Sequence, residues 1–355
     1  MTSLLDVDAL TIGFGSAPPV VDDVSFSVRA GETLALVGES GSGKTLTCRS
    51  ILRILPQAAQ LRGGQISFAG KNGPVDLLKC SERQMRSFRG NRIAMIFQEP
   101  MRSLSPLHRL GNQVGEVLRI HRNLARAETK KLVLEQFEKV GFIDPERAWR
   151  SYPFEMSGGM RQRAMIAMAM VAKPQILIAD EPTTALDVTT QAQVLGLIRS
   201  LQADTGMAVV LVTHDLGVVA NMAQHVVVMN KGRVMESGSA SDVLSAPAHG
   251  YTQKLFAAAP MIPDVAKPAR PLTQDDVILD LKNVTKTYTM RAGGWRKPVV
   301  ITACRDVNLK VIRGKTLAVV GESGSGKTTC ARVALGAERP DDGGEVLFTP
   351  AKGDT

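Results

Sequence analysis

The chain has 355 residues, more than one ordinary domain holds, which points to two domains. Hydrophobic residues make up 44% and charged residues 22%, a balance that excludes a mostly disordered chain and leaves apolar mass for sizeable cores. The net charge of +9 permits contact with nucleic acid or an anionic membrane without establishing either, and no apolar run approaches the ~18 residues that span a bilayer. Residues 1–10 alternate acidic and apolar and do not read as a signal peptide. Cys48, Cys80, Cys304 and Cys330 are scattered without a Cys-x-x-Cys pair, so reduced thiols are expected rather than a disulfide framework or zinc site.

Taken in chain order, the apolar run Thr33 to Val37 ends in a Gly-rich turn and reads as a buried strand. A helix is expected from Lys44 to Leu55, stopped by Pro56. Ser81 to Arg89 and Ala127 to Val140 carry helical spacing, and Ile93 to Phe97 is a second strand candidate. The basic segment Lys79 to Arg92 (Arg83, Arg86, Arg89, Arg92) reads as a solvated helix face, with contact to a membrane surface or to a partner's loop as the alternatives; nucleic acid is less expected, because Phe88 is the one aromatic among the charges and single-strand binding needs repeated stacking rings. Ile176 to Ala179 and Ala208 to Val212 are short apolar runs suited to a parallel sheet covered on both faces. Strands alternating with helices predict an α/β fold.

An internal repeat organises these elements. Residues 38–45 read GESGSGKT, and residues 321–328 read the same. The match extends from Gly31-Glu32-Thr33 onto Gly314-Lys315-Thr316 and from Gly63-Gly64 onto Gly343-Gly344. So long a period indicates a duplicated domain rather than a solenoid. The expected division is a first domain over 1–260, a Pro/Ala-rich linker over 261–277, and the opening part of a second copy over 278–355 with its own phosphate-loop strand at Thr316 to Val320. Everything the first copy carries beyond Phe68 is absent from the second, so the chain reads as a fragment of a longer two-domain protein.

Gly38-Glu-Ser40-Gly41-Ser-Gly43-Lys44-Thr45 fits G-x-x-x-x-G-K-[ST] between a strand and a helix. Its glycines let successive N–H groups turn toward phosphate oxygens, Lys44 is placed for the β- and γ-phosphates, and the Thr45 hydroxyl for Mg²⁺. The same roles fall to Gly321, Gly324, Gly326, Lys327 and Thr328 in the repeat. Asp180 and Glu181 follow the apolar run at 176–179, and ligands of open parallel sheets bind beyond the carboxyl ends of strands. Asp180 is placed to hold Mg²⁺ and Glu181 to polarise an attacking water.

The most specific residues are Ser157-Gly158-Gly159-Met160-Arg161-Gln162-Arg163, where a hydroxyl and bare N–H groups open a helix and can meet an anion. Here the chain resembles the ATP-binding cassette (ABC) ATPases, whose signature is L-S-G-G-Q-x-Q/R. Met156 and Met160 stand where Leu and Gln are usual. The resemblance covers residues 4–260 and the opening of the second repeat. It implies a P-loop NTPase fold with a mixed, mainly parallel sheet, a helical subdomain at about 100–170, and a partial second cassette. It also implies that Gln98 contacts Mg²⁺ and the attacking water, that Asp187 acts across a cassette dimer, and that His214 contacts the γ-phosphate. Phe14 falls where the family stacks an aromatic ring on adenine, and Tyr288 takes that place in the repeat. The methionines Met165, Met168 and Met170 read instead as helix core.

Ile96-Phe97-Gln98-Glu99-Pro100-Met101-Arg102-Ser103-Leu104-Ser105-Pro106 and Pro247-Ala248-His249-Gly250-Tyr251-Thr252 resemble runs of the peptide-importer branch, with Gly250 where Pro is usual. The resemblance implies an ATP-hydrolysing motor of an importer, with ATP and Mg²⁺ as cofactors. Permease subunits, a solute-binding protein and a second cassette in cis or in trans are the implied partners, with no nucleic acid, at the cytoplasmic face of the bacterial inner membrane. Two other readings stand beside it: an ABC ATPase acting on ribosomes or DNA, and a nucleotide-binding module without turnover. The short proline-rich linker, and Glu181 with His214, weigh against these in turn.

Overall fold

The computed structural model describes residues 3–70, 73–98, 103–184, 186–258, 277–290, 299–322 and 324–349. The chain divides into two units, one of Met1–Leu186 with Gln191–Pro260 and one of Asp187–Thr190 with Met261–Thr355. Nearly all of the expected linker, together with Glu99 to Arg102, Ala185 and Ser323, lies outside the described residues.

In the first unit, strands β1 (Leu5–Phe14), β2 (Val21–Val28), β4 (Ala59–Gly70) and β5 (Gly73–Asp76) form an antiparallel sheet in the order β2-β1-β4-β5. The second sheet runs β10-β9-β3-β8-β7-β6, from β3 (Thr33–Val37), β6 (Ile93–Ile96), β7 (Ile176–Asp180), β8 (Ala208–Thr213), β9 (His225–Asn230) and β10 (Arg233–Ser239). It is parallel except for the β9–β10 pair. Every residue of β3, β6, β7 and β8 is buried, as strands covered on both faces require. The fold is therefore α/β, and β3, β7 and β8 deliver their carboxyl ends to one edge.

Helix α1 spans Lys44–Ile51, short of the expected Leu55, because Arg53 turns the chain into the left-handed region at φ 50°. Helix α2 (Glu82–Phe88) opens with a capping box between Ser81 and Gln84. The expected solvated basic face holds for Arg83 and Arg86, which are exposed, but not for two others. Arg89 donates to Leu52 O at 2.7 Å, and Arg92 lies over the Phe68 and Phe88 rings at 4.7 and 5.2 Å. Both guanidiniums thus work within the fold rather than in solvent.

Helices α3 (Leu110–Arg122), α4 (Arg126–Lys139), α5 (Pro145–Arg150) and α6 (Gly158–Met170) pack around Leu118, Val133, Phe137 and Phe142. That cluster continues through Met165 and Met170 to Leu177, Ala179, Val209 and Leu211 of the parallel sheet. One apolar core therefore fixes α6 against β7 and β8. Helices α7 (Val188–Thr205), α8 (Leu216–Met222), α9 (Ala240–Ser245) and α10 (Gly250–Ala257) follow. No helix among the described residues is long and apolar enough to cross a membrane.

The turn between β9 and β10 buttresses the phosphate loop. Gly232 donates its N–H to Ser42 O at 3.1 Å and accepts from Asp22 N at 2.8 Å. It adopts φ 82°, and a Cβ there would lie 2.2 Å from Val20 O. Both the conformation and the space demand glycine.

In the second unit, strands β11 (Val277–Met290), β12 (Val299–Ile312) and β13 (Glu345–Phe348) form an antiparallel sheet ordered β12-β11-β13, joined by helix α11 (Lys327–Ala334). Leu281, Val284, Cys304, Cys330 and Val333 form its core. The expected strand Thr316 to Val320 is not a strand. Its counterpart β3 pairs with β8 and β9, and no described residue of the second unit forms a parallel strand in either place. Without those parallel partners no ladder forms, and Leu317, Val319 and Val320 are 45%, 51% and 87% exposed.

Gly232→Ala is expected to lower stability by about 2–4 kcal/mol, from backbone strain and displacement of Val20, measured by urea unfolding of the first unit's transition. Brief protease digestion is expected to remove residues 277–349 first and leave a resistant core ending near Pro260; equal survival of both parts would overturn this expectation.

Candidate nucleotide site

The turn after β3 is held open by backbone geometry. Gly38 takes φ 155° and a Cβ on it would meet Met229 O at 2.2 Å, while Gly43 takes φ 97° as the residue before α1. Gly41 also has positive φ, at 81°, and Ser40 is exposed beside it. Lys44 is 5% exposed, and its Nζ donates to Gly38 O at 2.7 Å, Glu39 O at 2.8 Å and Ser42 Oγ at 3.1 Å. Burial pushes the Lys44 ammonium below its ordinary pKa, against the opposing pull of Glu181 and Asp180. A partly desolvated cation inside a ring of backbone is suited to receive phosphate oxygens.

Asp180 ends β7 beside this loop and is 1% exposed. Thr45 Oγ1 donates to its Oδ1 at 3.0 Å, and its Oδ2 is buried without a hydrogen-bond partner. Burial raises the carboxyl's pKa, only partly offset by the Thr45 bond. An orphaned buried carboxylate oxygen next to a hydroxyl and an ammonium fits a divalent cation, whose charge would relieve the penalty.

Glu181 collects the remaining polar groups. It takes φ 47°, and its N–H donates to Val212 O at 3.0 Å, which fixes the turn against β8. Gln98 Nε2 and Thr184 Oγ1 each donate to Glu181 Oε2 at 2.9 Å, and His214 Nδ1 lies 3.4 Å from Oε1. The acidic pair, Gln98 and His214, far apart in sequence, thus converge on one carboxylate at the sheet's edge. Thr184 was not singled out from the sequence, although its place three residues after Glu181 in a tight turn is a usable signal.

Ser157 caps α6 and accepts from Met160 N at 3.3 Å. Gly158 and Gly159 follow in the first turn, and a Cβ on Gly158 would meet nothing within 4 Å. The helix tip is therefore open at Gly158. Asp187 accepts from Thr190 N and Thr190 Oγ1 at 2.9 and 3.0 Å. Phe14 ends β1, half-buried and opposite Ala59.

In the second unit the loop repeats its shape. Gly321, Gly324 and Gly326 have φ 155°, 84° and 92°, and Lys327 Nζ donates to Gly321 O and Glu322 O at 2.7 and 2.6 Å. Thr328 is exposed, and Tyr288 Oη is hydrogen-bonded to Glu338. Among the described residues of this unit, no acidic pair follows a parallel strand beside Lys327.

The family model described as "ABC transporter" matches residues 21–184 and 304–353. The "Peptidoglycan transport ATP-binding protein YejF" of Agrobacterium fabrum is 45% identical over 92% of this chain, and this chain spans 59% of that protein. The "Probable peptide ABC transporter ATP-binding protein y4tR" of Sinorhizobium fredii is 53% identical over 72% of this chain and 77% of the relative. Among solved structures, the dimeric bacterial ABC transporter cassette MJ0796 superposes with a TM-score of 0.59 at 25% identity, over 66% of this chain and 98% of that one. With its looped lysine, paired strand-end carboxylates and open helix tip, the chain belongs to the ABC transporter family.

Proposed function

We propose that this chain is the ATP-binding and ATP-hydrolysing subunit of an importer for peptides or related solutes. The observation that carries the proposal is the convergence of Gln98, Thr184 and His214 on the Glu181 carboxylate, beside the loop that holds Lys44. The relatives' names, peptidoglycan transport and peptide ABC transporter ATP-binding proteins, support the solute class.

The chemistry follows from position. The backbone N–H groups of residues 38–45 and the Lys44 ammonium bind the β- and γ-phosphates. Thr45, Asp180 and Gln98 would hold Mg²⁺, which when bound neutralises charge on the phosphate oxygens. Glu181 accepts a hydrogen bond from a water and aims its oxygen at the γ-phosphorus. As the water's oxygen bonds to phosphorus, its proton passes to the Glu181 carboxylate and the bond from phosphorus to the β–γ bridging oxygen breaks, giving ADP and phosphate, and Glu181 then releases the proton to solvent. Gln98 and Thr184 fix the carboxylate's orientation, and His214 stands ready to contact the γ-phosphate. Phe14 supplies a π-face for the adenine.

The open tip at Ser157, Gly158 and Gly159 serves the nucleotide of a second cassette, with Asp187 acting across that pair. Tyr288 with Gly321, Gly324, Gly326, Lys327 and Thr328 forms the beginning of a second nucleotide site. Pairing and separation of cassettes drive permease subunits that receive solute from a binding protein, with this subunit peripheral on the cytoplasmic face of the inner membrane.

Glu181→Gln is expected to trap ATP-bound pairs that size-exclusion chromatography with light scattering detects, and Lys44→Ala to abolish ATP-induced pairing. Wild-type specific activity is expected to fall on dilution well below micromolar chain. Constant specific activity on dilution, or an unchanged oligomeric state of the Glu181→Gln chain in ATP, would count against paired cassettes.

A further inference from the structure

The helix that begins with Ser157 reaches the Glu181 turn through one buried side chain. Gln162 is 2% exposed, and its Nε2 donates to Pro182 O. It lies about one and a half helical turns beyond Ser157. Its neighbours on α6 bind elsewhere. Arg161 Nε donates to Pro153 O at 2.7 Å, and Arg163 donates to Val140 O and Gln193 Oε1 at 2.6 and 3.0 Å.

Pro182 follows Glu181 directly, and the two residues are clamped from opposite sides. The Glu181 N–H is held by Val212 O of β8, and the Pro182 carbonyl by Gln162 of α6. Proline has no N–H of its own, so its carbonyl is the polar handle by which a neighbour can hold this turn. Glu181 already sits in the left-handed region, where a small backbone shift swings the carboxylate away from Gln98 and Thr184.

We infer that Gln162 is a positioning residue for hydrolysis: it ties the signature helix to the water-orienting carboxylate of the same cassette. A displacement of α6, when its tip meets a partner's phosphate, is passed to the Glu181 turn through the Gln162 amide. The Gln162 bond thereby adds a polar link between the two nucleotide sites of a cassette pair to the apolar packing of α6 on β7 and β8. The inference rests on the reading of Glu181 as the group that orients water.

The test uses the full chain carrying Gln162→Met, which keeps the volume and removes the amide, with Gln162→Asn as a milder second variant that falls short of Pro182 O. The expected result is a kcat lower by about fivefold or more with KM for ATP within about twofold of wild type, because the phosphate loop is untouched. In the Glu181→Gln background, where turnover is already stopped, ATP-induced pairing is expected to persist when Gln162→Met is added. An unchanged kcat in both variants, or loss of ATP-induced pairing when Gln162→Met is added to Glu181→Gln, would overturn the inference. Failure of the wild-type chain to bind ATP would instead overturn the proposed function.

Discussion

The site depends on a lysine ammonium folded into its own backbone loop. Lys44 Nζ is almost wholly withdrawn from water, held by two carbonyls and one hydroxyl, and Asp180 and Glu181 oppose its desolvation from the neighbouring strand end. Burying one charge obliges the fold to bring others near it. The parallel sheet meets that obligation through topology. With β3 between β8 and β9, and β7 on the far side of β8, the carboxyl ends that carry Asp180, Glu181 and His214 emerge on the edge where the loop begins.

Support for this arrangement comes from groups with no chemistry of their own. Gly232 places a backbone N–H under Ser42, and Val212 O pins the Glu181 turn. Thr184 shares the Glu181 oxygen with Gln98. These contacts leave the carboxylate few orientations.

Much of this was legible in the sequence, and for a physical reason. A phosphate loop is a local object: glycines at positive φ, a lysine and a hydroxyl at set spacing must be contiguous, so a short motif reports it. Buried parallel strands likewise appear as short apolar runs, and β3, β7 and β8 fall close to the runs read at 33–37, 176–179 and 208–212. The contacts that are not local were opaque. Nothing in the spacing of Gln162 or Gly232 announces Pro182 or Ser42. The basic run at 79–92 reads as solvated because the Phe68 ring beneath Arg92 and the Leu52 carbonyl that holds Arg89 come from distant segments.

The repeat separates these two kinds of information within one chain. Residues 38–45 and 321–328 are identical, and so is their outcome: glycines in the same backbone regions and a lysine turned onto the carbonyls of the same two positions. The preceding runs, TLALV and TLAVV, are nearly identical, yet one is a fully buried strand and the other forms no ladder. The loop's shape is thus set by its own residues, whereas the strand exists only where β8 and β9 supply its hydrogen bonds. Lys44 is buried and Lys327 only half-buried for the same reason, since the walls around the first loop come from distant segments. A phosphate loop can therefore be recognised from eight residues, but its lysine becomes a desolvated cation only where distant segments of the fold close around it.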